Sequence, residues 1–222
     1  MLSAQKDSTL TWKHYTRGGI ANTDSTIGGF AYYRINRQTD NTFRDLRVFS
    51  YSLKNDSYIY IRYKTSDKYS SYPFFYRYTT TSYRKNTRAN VDLQYHFNQG
   101  LGYFINNYKN GLINVEIGHA FDISDYLNAT RKTSYLKSGL FWDHDTKWFS
   151  TKFEAEHFQQ ISEIVENNLS RNQFLFEIII PFKKNFSVNL NYELEDYLNK
   201  IQVEAYSTTI AIEWKGNLSW KL

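Results

Sequence analysis

Hydrophobic and polar residues alternate strictly over residues 186–195, F-S-V-N-L-N-Y-E-L-E. Phe186 and Val188 fall on one side of an extended chain, and Ser187 and Asn189 fall on the other. Successive side chains of a strand point to opposite faces, so this segment is predicted to be a β-strand with one apolar and one polar face. Its apolar face packs against either a protein core or lipid, and the two cases imply different functions.

The same alternation recurs along the chain and predicts about twelve strands. Many of these segments are about ten residues long or longer, whereas strands of soluble sandwiches typically have five or six. Strands of about ten residues are near the length that a tilted strand needs to cross a bilayer. The predicted strands cover approximately residues 9–17, 25–37, 42–53, 57–67, 72–85, 90–105, 111–122, 133–143, 147–158, 172–183, 186–195 and 202–214.

Aromatic residues are abundant, with 20 Tyr, 16 Phe and 5 Trp, and several stand at predicted strand ends. Membrane barrels carry aromatic girdles at this level because amphipathic rings favour the headgroup zone. No apolar run approaches the roughly 18 residues that a membrane helix needs. We therefore predict an all-β fold, a single antiparallel up-and-down transmembrane β-barrel of about 12 strands formed by residues 1–222, with tails at 1–8 and 215–222. A soluble sandwich or a lipid-binding barrel is the alternative.

The predicted connections orient the barrel. They are mostly short after even-numbered strands and longer after odd-numbered ones, notably at 122–132 and 159–171. Short periplasmic turns and long extracellular loops are the outer-membrane pattern. We therefore expect localisation in the outer membrane of a Gram-negative bacterium, with outer-membrane lipid as partner. The two long loops could also dock other outer-membrane proteins, and Ile161, Val165 and Leu169 recur there at helical spacing.

The start of the chain bears on export. Residues 1–5 have no charged and apolar stretch typical of a signal peptide, so none is present in the given chain. Leu2-Ser3-Ala4 has the small-residue pattern that precedes a cleavage site, which favours an exported protein starting near Gln5. A cytoplasmic protein with a polar start is the alternative.

Two short stretches resemble a known family. They are Ala21-Asn-Thr-Asp-Ser-Thr26 and Asn98-Gln-Gly-Leu-Gly-Tyr-Phe-Ile105, which are similar to the matching stretches of the salt-induced outer-membrane protein family, a domain of unknown function. The strand rhythm agrees over roughly residues 10–214. The resemblance implies a bacterial outer-membrane barrel of about this size and implies no activity. The chain departs from the family at Ala21, where Gly is usual, and it runs past Trp214, whereas such barrels commonly stop on an aromatic residue.

Charge is distributed unevenly between the two halves of the sequence. Residues 1–111 hold 16 Lys and Arg against 7 Asp and no Glu, whereas residues 112–222 hold 11 Lys and Arg against 15 Asp and Glu. In a barrel each half forms one wall, so basic side chains should face acidic ones across the lumen. Either these charges create a transverse field in a narrow pore, or they pair and close the lumen. The predicted lumen-lining residues are Arg34, Arg47, Arg62 and Arg77 on one wall and Glu116, Glu154, Glu177 and Glu193 on the other.

Candidate catalytic and metal-binding groups are scarce. The chain has no Cys, which excludes disulfides and thiolate metal sites, and none of its five His has metal-ligand spacing with another. Asp143-His144-Asp145 is the most suggestive cluster, but Asp and His are usual in turns. We predict no catalytic residue, no metal and no cofactor. The basic residues are scattered rather than clustered, which argues against a nucleic-acid partner.

Three functions follow from this reading. The leading hypothesis is a passive channel or porin for small polar or charged solutes. The second is a structural or accessory barrel of a larger outer-membrane complex, and the third is a lipid-acting barrel enzyme.

Overall fold

The computed structural model describes residues 11–23, 26–53, 56–87, 91–125, 131–162, 169–198 and 205–218. Each strand pairs antiparallel with the next along the chain, and the first pairs with the last, so the sheet closes into a barrel. This confirms the predicted twelve-stranded antiparallel barrel. The strands are β1 (Trp12–Thr23), β2 (Thr26–Gln38), β3 (Thr42–Leu53), β4 (Asp56–Tyr69), β5 (Tyr72–Asn86), β6 (Val91–Tyr108), β7 (Gly111–Ser124), β8 (Arg131–Asp145), β9 (Ser150–Gln160), β10 (Arg171–Lys183), β11 (Phe186–Tyr197) and β12 (Ala205–Leu218).

Contacts between non-neighbouring strands identify the inner face of the barrel. Lys64 on β4 touches Glu116 on β7, and Arg84 on β5 touches Glu195 on β11. Such pairs can form only inside a closed sheet, and residues directly opposite each other on neighbouring strands share a face. With the period of two along each strand, these contacts assign every second residue to the lumen and the others to the outer wall.

The outer wall is predominantly apolar. Ile20, Ile117 and Ile210 are more than half exposed there, at 59%, 57% and 58%. Near the short turns it carries polar aromatics, as where Trp142 Nε1 donates to the Tyr108 hydroxyl at 2.9 Å. An apolar outer band, a polar interior and aromatics at the band edge are the arrangement of a transmembrane β-barrel. Over the residues that the structure describes, no helix is long and apolar enough to cross a membrane.

Aromatic side chains also fill part of the lumen, which the sequence analysis did not predict. Phe30 is 8% exposed and packs against Ala21 and Ala211, and its ring centroid lies 5.3 Å from that of Phe49. Phe49 is followed along the inner wall by Tyr58, at 5.7 Å between centroids. We call the inward rings Phe30, Tyr32, Phe49, Tyr51, Tyr58 and Tyr60 the aromatic wall. It occupies β2 to β4, so the lumen is narrower than a barrel lined only by short polar residues.

The first and last strands extend further than predicted. The segment 18–24, which lies between the predicted strands 9–17 and 25–37, continues β1 as far as Thr23. Gly19 pairs with Ala211, and a Cβ atom at Gly19 would overlap the backbone of β12. Glycine here permits a close approach of two strands rather than a turn.

The chain after Trp214 is likewise part of the sheet. The predicted tail 215–222 is wrong for residues 215–218, because β12 continues to Leu218, which pairs with Trp12. The helical spacing of Ile161, Val165 and Leu169 falls largely on residues 163–168, which lie outside the described residues.

Candidate functional site: the charged lumen

Seven of the eight predicted lining residues point into the barrel. Arg34, Arg47 and Arg62 stand opposite one another on β2, β3 and β4, and therefore share the inner face. The remaining inward residues are Glu116, Glu154, Glu177 and Glu193.

Arg77 is the exception and lies on the outer wall. The two residues beside it in sequence, Tyr76 and Tyr78, are buried inside the barrel, whereas the Arg77 side chain is 70% exposed. The prediction for Arg77 is wrong because β5 carries aromatic residues on both faces, so alternation alone did not define its register. The inward cation of this strand is Arg84.

Asp45 joins two of the predicted arginines. Its carboxylate accepts from Arg34 Nε at 2.5 Å and from Arg47 Nε at 2.6 Å, and it is 0% exposed. Asp45 was not among the predicted lining residues because it lies in the basic half of the chain. Asp45 lies two residues before Arg47 on β3, so the two side chains point to the same face. This spacing could have identified Asp45 as a lumen-lining residue.

A second cluster is centred on Glu116. Lys64 donates to one of its oxygens at 2.5 Å and Lys137 donates to the other at 2.8 Å. Lys137 also pairs with Glu156 at 2.6 Å, and the Tyr76 hydroxyl donates to Glu116 at 3.1 Å. Lys137 is 1% exposed and Glu116 3%, so this cluster is a buried ionic network. Such charges are tolerated only when paired and hydrogen-bonded, as they are here.

Arg17 links the first strand to the acidic wall. Its guanidinium donates to Glu177 at 2.6 Å and to Glu213 at 2.5 Å. Glu154 has a partner on its own strand, Lys152. It also lies 3.9 Å from Arg62 across the lumen. Glu213 lies directly opposite Arg17 on the neighbouring strand β12, whereas the Arg17–Glu177 and Arg62–Glu154 contacts join strands that are not neighbours in the ring.

A third cluster lies at the end of the barrel away from the short turns. Arg84 donates to Glu195 at 2.7 Å, and Arg171 lies 3.2 Å from Glu195. Arg171 also lies 3.2 Å from Asp122, which contacts His96 as well. Arg171 is the first residue of β10, so this cluster surrounds the lumen close to one mouth.

Glu193 differs from the other predicted carboxylates. Its side chain is exposed within the barrel and accepts a hydrogen bond from Asn191 Nδ2 at 3.0 Å. It forms no ion pair with any residue that the structure describes. Neighbouring Asn189 is 1% exposed and is therefore buried in the wall. The carboxylate of Glu193 is thus a polar group that β11 presents to the lumen.

The cluster Asp143-His144-Asp145 does not form a converging site. These residues end β8, and Asp143 points into the lumen while His144 points outward. His144 Nδ1 lies 3.1 Å from the Tyr108 hydroxyl, and its ring stacks against Trp142. Within the described ranges, no group of three His, Cys, Asp or Glu residues could hold a metal ion.

Comparisons with known proteins identify the fold. No family model matches the sequence, and no curated protein matches it. Among solved structures, the chain is similar to the NanC porin, with a TM-score of 0.58 and 10% identity over 94% of this chain and 100% of that one. It is also similar to an outer membrane channel from Pseudomonas putida F1, with a TM-score of 0.54 and 7% identity over 94% and 96%.

The KdgM porin in complex with disordered oligogalacturonate is a further similar structure, with a TM-score of 0.51 and 11% identity over 91% of this chain and 98% of that one. At these identities the likeness is one of fold alone. The chain therefore has the fold of outer-membrane β-barrels. The resemblance to the salt-induced outer-membrane protein family stays a prediction.

Proposed function

We propose that this chain is a bacterial outer-membrane β-barrel that acts as a narrow, passive channel for small polar or charged solutes. Its apolar outer wall suits a bilayer, and its interior suits water and ions. Three solved structures of similar fold are named as porins or channels. A twelve-stranded barrel lies between small barrels filled by side chains and wide sixteen-stranded porins, so a narrow passage is expected.

The observation that carries this proposal is the arrangement of charge across the lumen. Basic side chains on β4 and β5 reach acidic side chains on β9 and β11, as Arg62 reaches Glu154 and Arg84 reaches Glu195. A charged solute can take the place of one partner in such a pair, and the field between the walls then biases which ions pass. The exposed carboxylate of Glu193 adds a charge that water and solute can reach.

One observation favours a second function, that of a closed structural or accessory barrel. Asp45 and Lys137 are almost completely buried, and the ion pairs bridge opposite walls. A lumen closed in this way would leave the long loops as the functional part, docked on a larger outer-membrane assembly.

Electrical recording separates the two functions. Purified protein in planar lipid bilayers should give discrete conductance steps that scale with salt concentration if it is a channel. Glu193→Gln should then shift the reversal potential toward anions, because it removes an accessible negative charge from the lumen. Folded protein that inserts into the bilayer and stays silent would refute the channel and favour the accessory role.

A further inference from the structure

The outer wall carries a depression across β4 to β8, with a volume of about 710 Å³. At one end it is lined by Asp67 and Arg77, and across the remaining wall by the apolar residues Leu101, Ile117 and Leu136 together with the polar residues Thr65, Thr79, Gln99 and His119. The three apolar residues are 48%, 57% and 48% exposed. The depression therefore has a charged end, and beside its polar residues it carries an apolar bed formed by Leu101, Ile117 and Leu136. Neither the proposed channel nor the sequence analysis assigns it a role.

The charged end has an excess of positive charge. Arg44 Nη2 donates to Asp67 at 2.7 Å, and Arg77 Nε lies 3.5 Å from the second carboxylate oxygen. Two guanidinium groups thus share one carboxylate, and guanidinium groups stay protonated in proteins. The more loosely held of the two, Arg77, has a side chain that is 70% exposed. It is accessible to an anion from outside the barrel.

The charged end lies close to the level at which we expect the bilayer headgroups. Phe75 and Tyr103 pair on neighbouring strands two residues closer to the short turns, with 4.9 Å between ring centroids. Aromatic residues of this kind mark the membrane interface. Asp67 lies near the short-turn end of β4 and Leu136 lies near the middle of β8, so the apolar bed extends toward the bilayer interior.

We propose that the depression binds an anionic phospholipid, with its phosphate on Arg77 and an acyl chain over Leu101, Ile117 and Leu136. Charge complementarity favours this occupant, since Arg44 and Arg77 share a single carboxylate and leave a net positive charge at this end. The apolar bed can pack against an acyl chain. Lipids also have direct access to it, because it lies on the outer wall of a membrane-spanning barrel. The inference rests on the membrane insertion in the proposed function and not on conduction.

Native mass spectrometry of the full chain in detergent micelles tests it. Phosphatidylglycerol and phosphatidylcholine with the same acyl chains are titrated, and the affinity for the first bound lipid is compared. Phosphatidylglycerol should bind about fivefold more tightly, the effect expected of one basic side chain beside an anionic lipid. Arg77→Gln should remove this preference. Asp67→Asn should increase it, because both guanidinium groups then lose their internal partner.

Lys183→Gln is the matched control, since it removes one exposed cation at the short-turn end of the barrel on β10, away from the depression. It should leave the preference unchanged. Equal affinity for the two lipids, or equal effects of Arg77→Gln and Lys183→Gln, would overturn the inference. A dimer of the chain that excludes bound lipid would also overturn the inference. A barrel that conducts ions without preferring phosphatidylglycerol would refute this site and leave the channel intact.

Discussion

Arg84 on β5 and Glu195 on β11 meet inside the barrel, with 2.7 Å between Nη1 and Oε2. The closed order of strands places β5 and β11 opposite each other in the ring. Two side chains therefore span the whole lumen at this level, close to the mouth away from the short turns. Arg171 lies 3.2 Å from the same carboxylate and holds it in place. This bridge narrows the passage, so its removal is a direct test of whether a passage exists.

Arg84→Gln should increase conductance, because the shorter neutral side chain no longer crosses the lumen. Glu195 keeps Arg171 as a partner, so the barrel should remain folded. Single-channel recording in planar bilayers measures the change. Lys85→Gln is the control, since the next residue of the same strand belongs to the outer wall. Equal conductance of the two variants would show that the Arg84 bridge does not limit flow.

Selectivity should depend on the face of the barrel from which a cation is removed. Arg62→Gln removes an inward positive charge that lies 3.9 Å from Glu154, so the reversal potential should shift toward cations. Arg77→Gln removes a positive charge from the outer wall and should leave the reversal potential unchanged. If Arg62→Gln alters neither selectivity nor stability, this part of the wall does not govern permeation.

The barrel could be predicted from sequence because alternation is a local property. Strands such as β11 carry apolar residues on one face only, so Val188 and Leu190 could be assigned to the outer wall without knowledge of their neighbours. The register of β5 could not, because Tyr76 and Tyr78 are inward aromatics and Arg77 is an outward cation. An assignment by charge alone therefore fails there.

The ion pairs join residues that are far apart in the sequence, so the individual partners could not be predicted from it. Arg17 and Glu213 meet only because β1 closes against β12, and a shift of one residue in that register would turn one of them to lipid. The uneven distribution of charge along the chain predicts only that basic and acidic walls face each other. It does not predict which partners meet, because that depends on the shape of the closed ring.

Neighbouring substitutions on β10 test the assignment of faces. Ile178→Arg places a charge on the outer wall near the middle of the strand, which should cost about 2–4 kcal/mol of folding free energy in lipid. Ile179→Arg points into the polar lumen and should cost less. Urea-induced unfolding in lipid vesicles measures both. Similar costs, or the reverse order, would contradict the register between β10 and β11.

Arg17 should be a major contributor to stability. Its guanidinium pairs with Glu177 at 2.6 Å and with Glu213 at 2.5 Å, and it is 7% exposed. Arg17→Gln leaves two buried carboxylates without their partner, for which a cost of about 3–5 kcal/mol is expected. Adding Glu213→Gln should recover part of that loss, because one uncompensated charge is removed. A double variant no more stable than Arg17→Gln would show that the pair with Glu213 contributes little.

Topology can be tested with single cysteines, since the chain has none of its own. Ile161 follows β9 at the end that carries the longer connections, whereas Asn185 lies in the short turn between β10 and β11. Both are exposed. In the proposed orientation, Ile161→Cys should react with a membrane-impermeant maleimide added to intact cells. Asn185→Cys should react only after the outer membrane is permeabilised, because short turns face the periplasm. Labelling of Asn185→Cys in intact cells would show that the barrel has the opposite orientation or does not lie in the outer membrane.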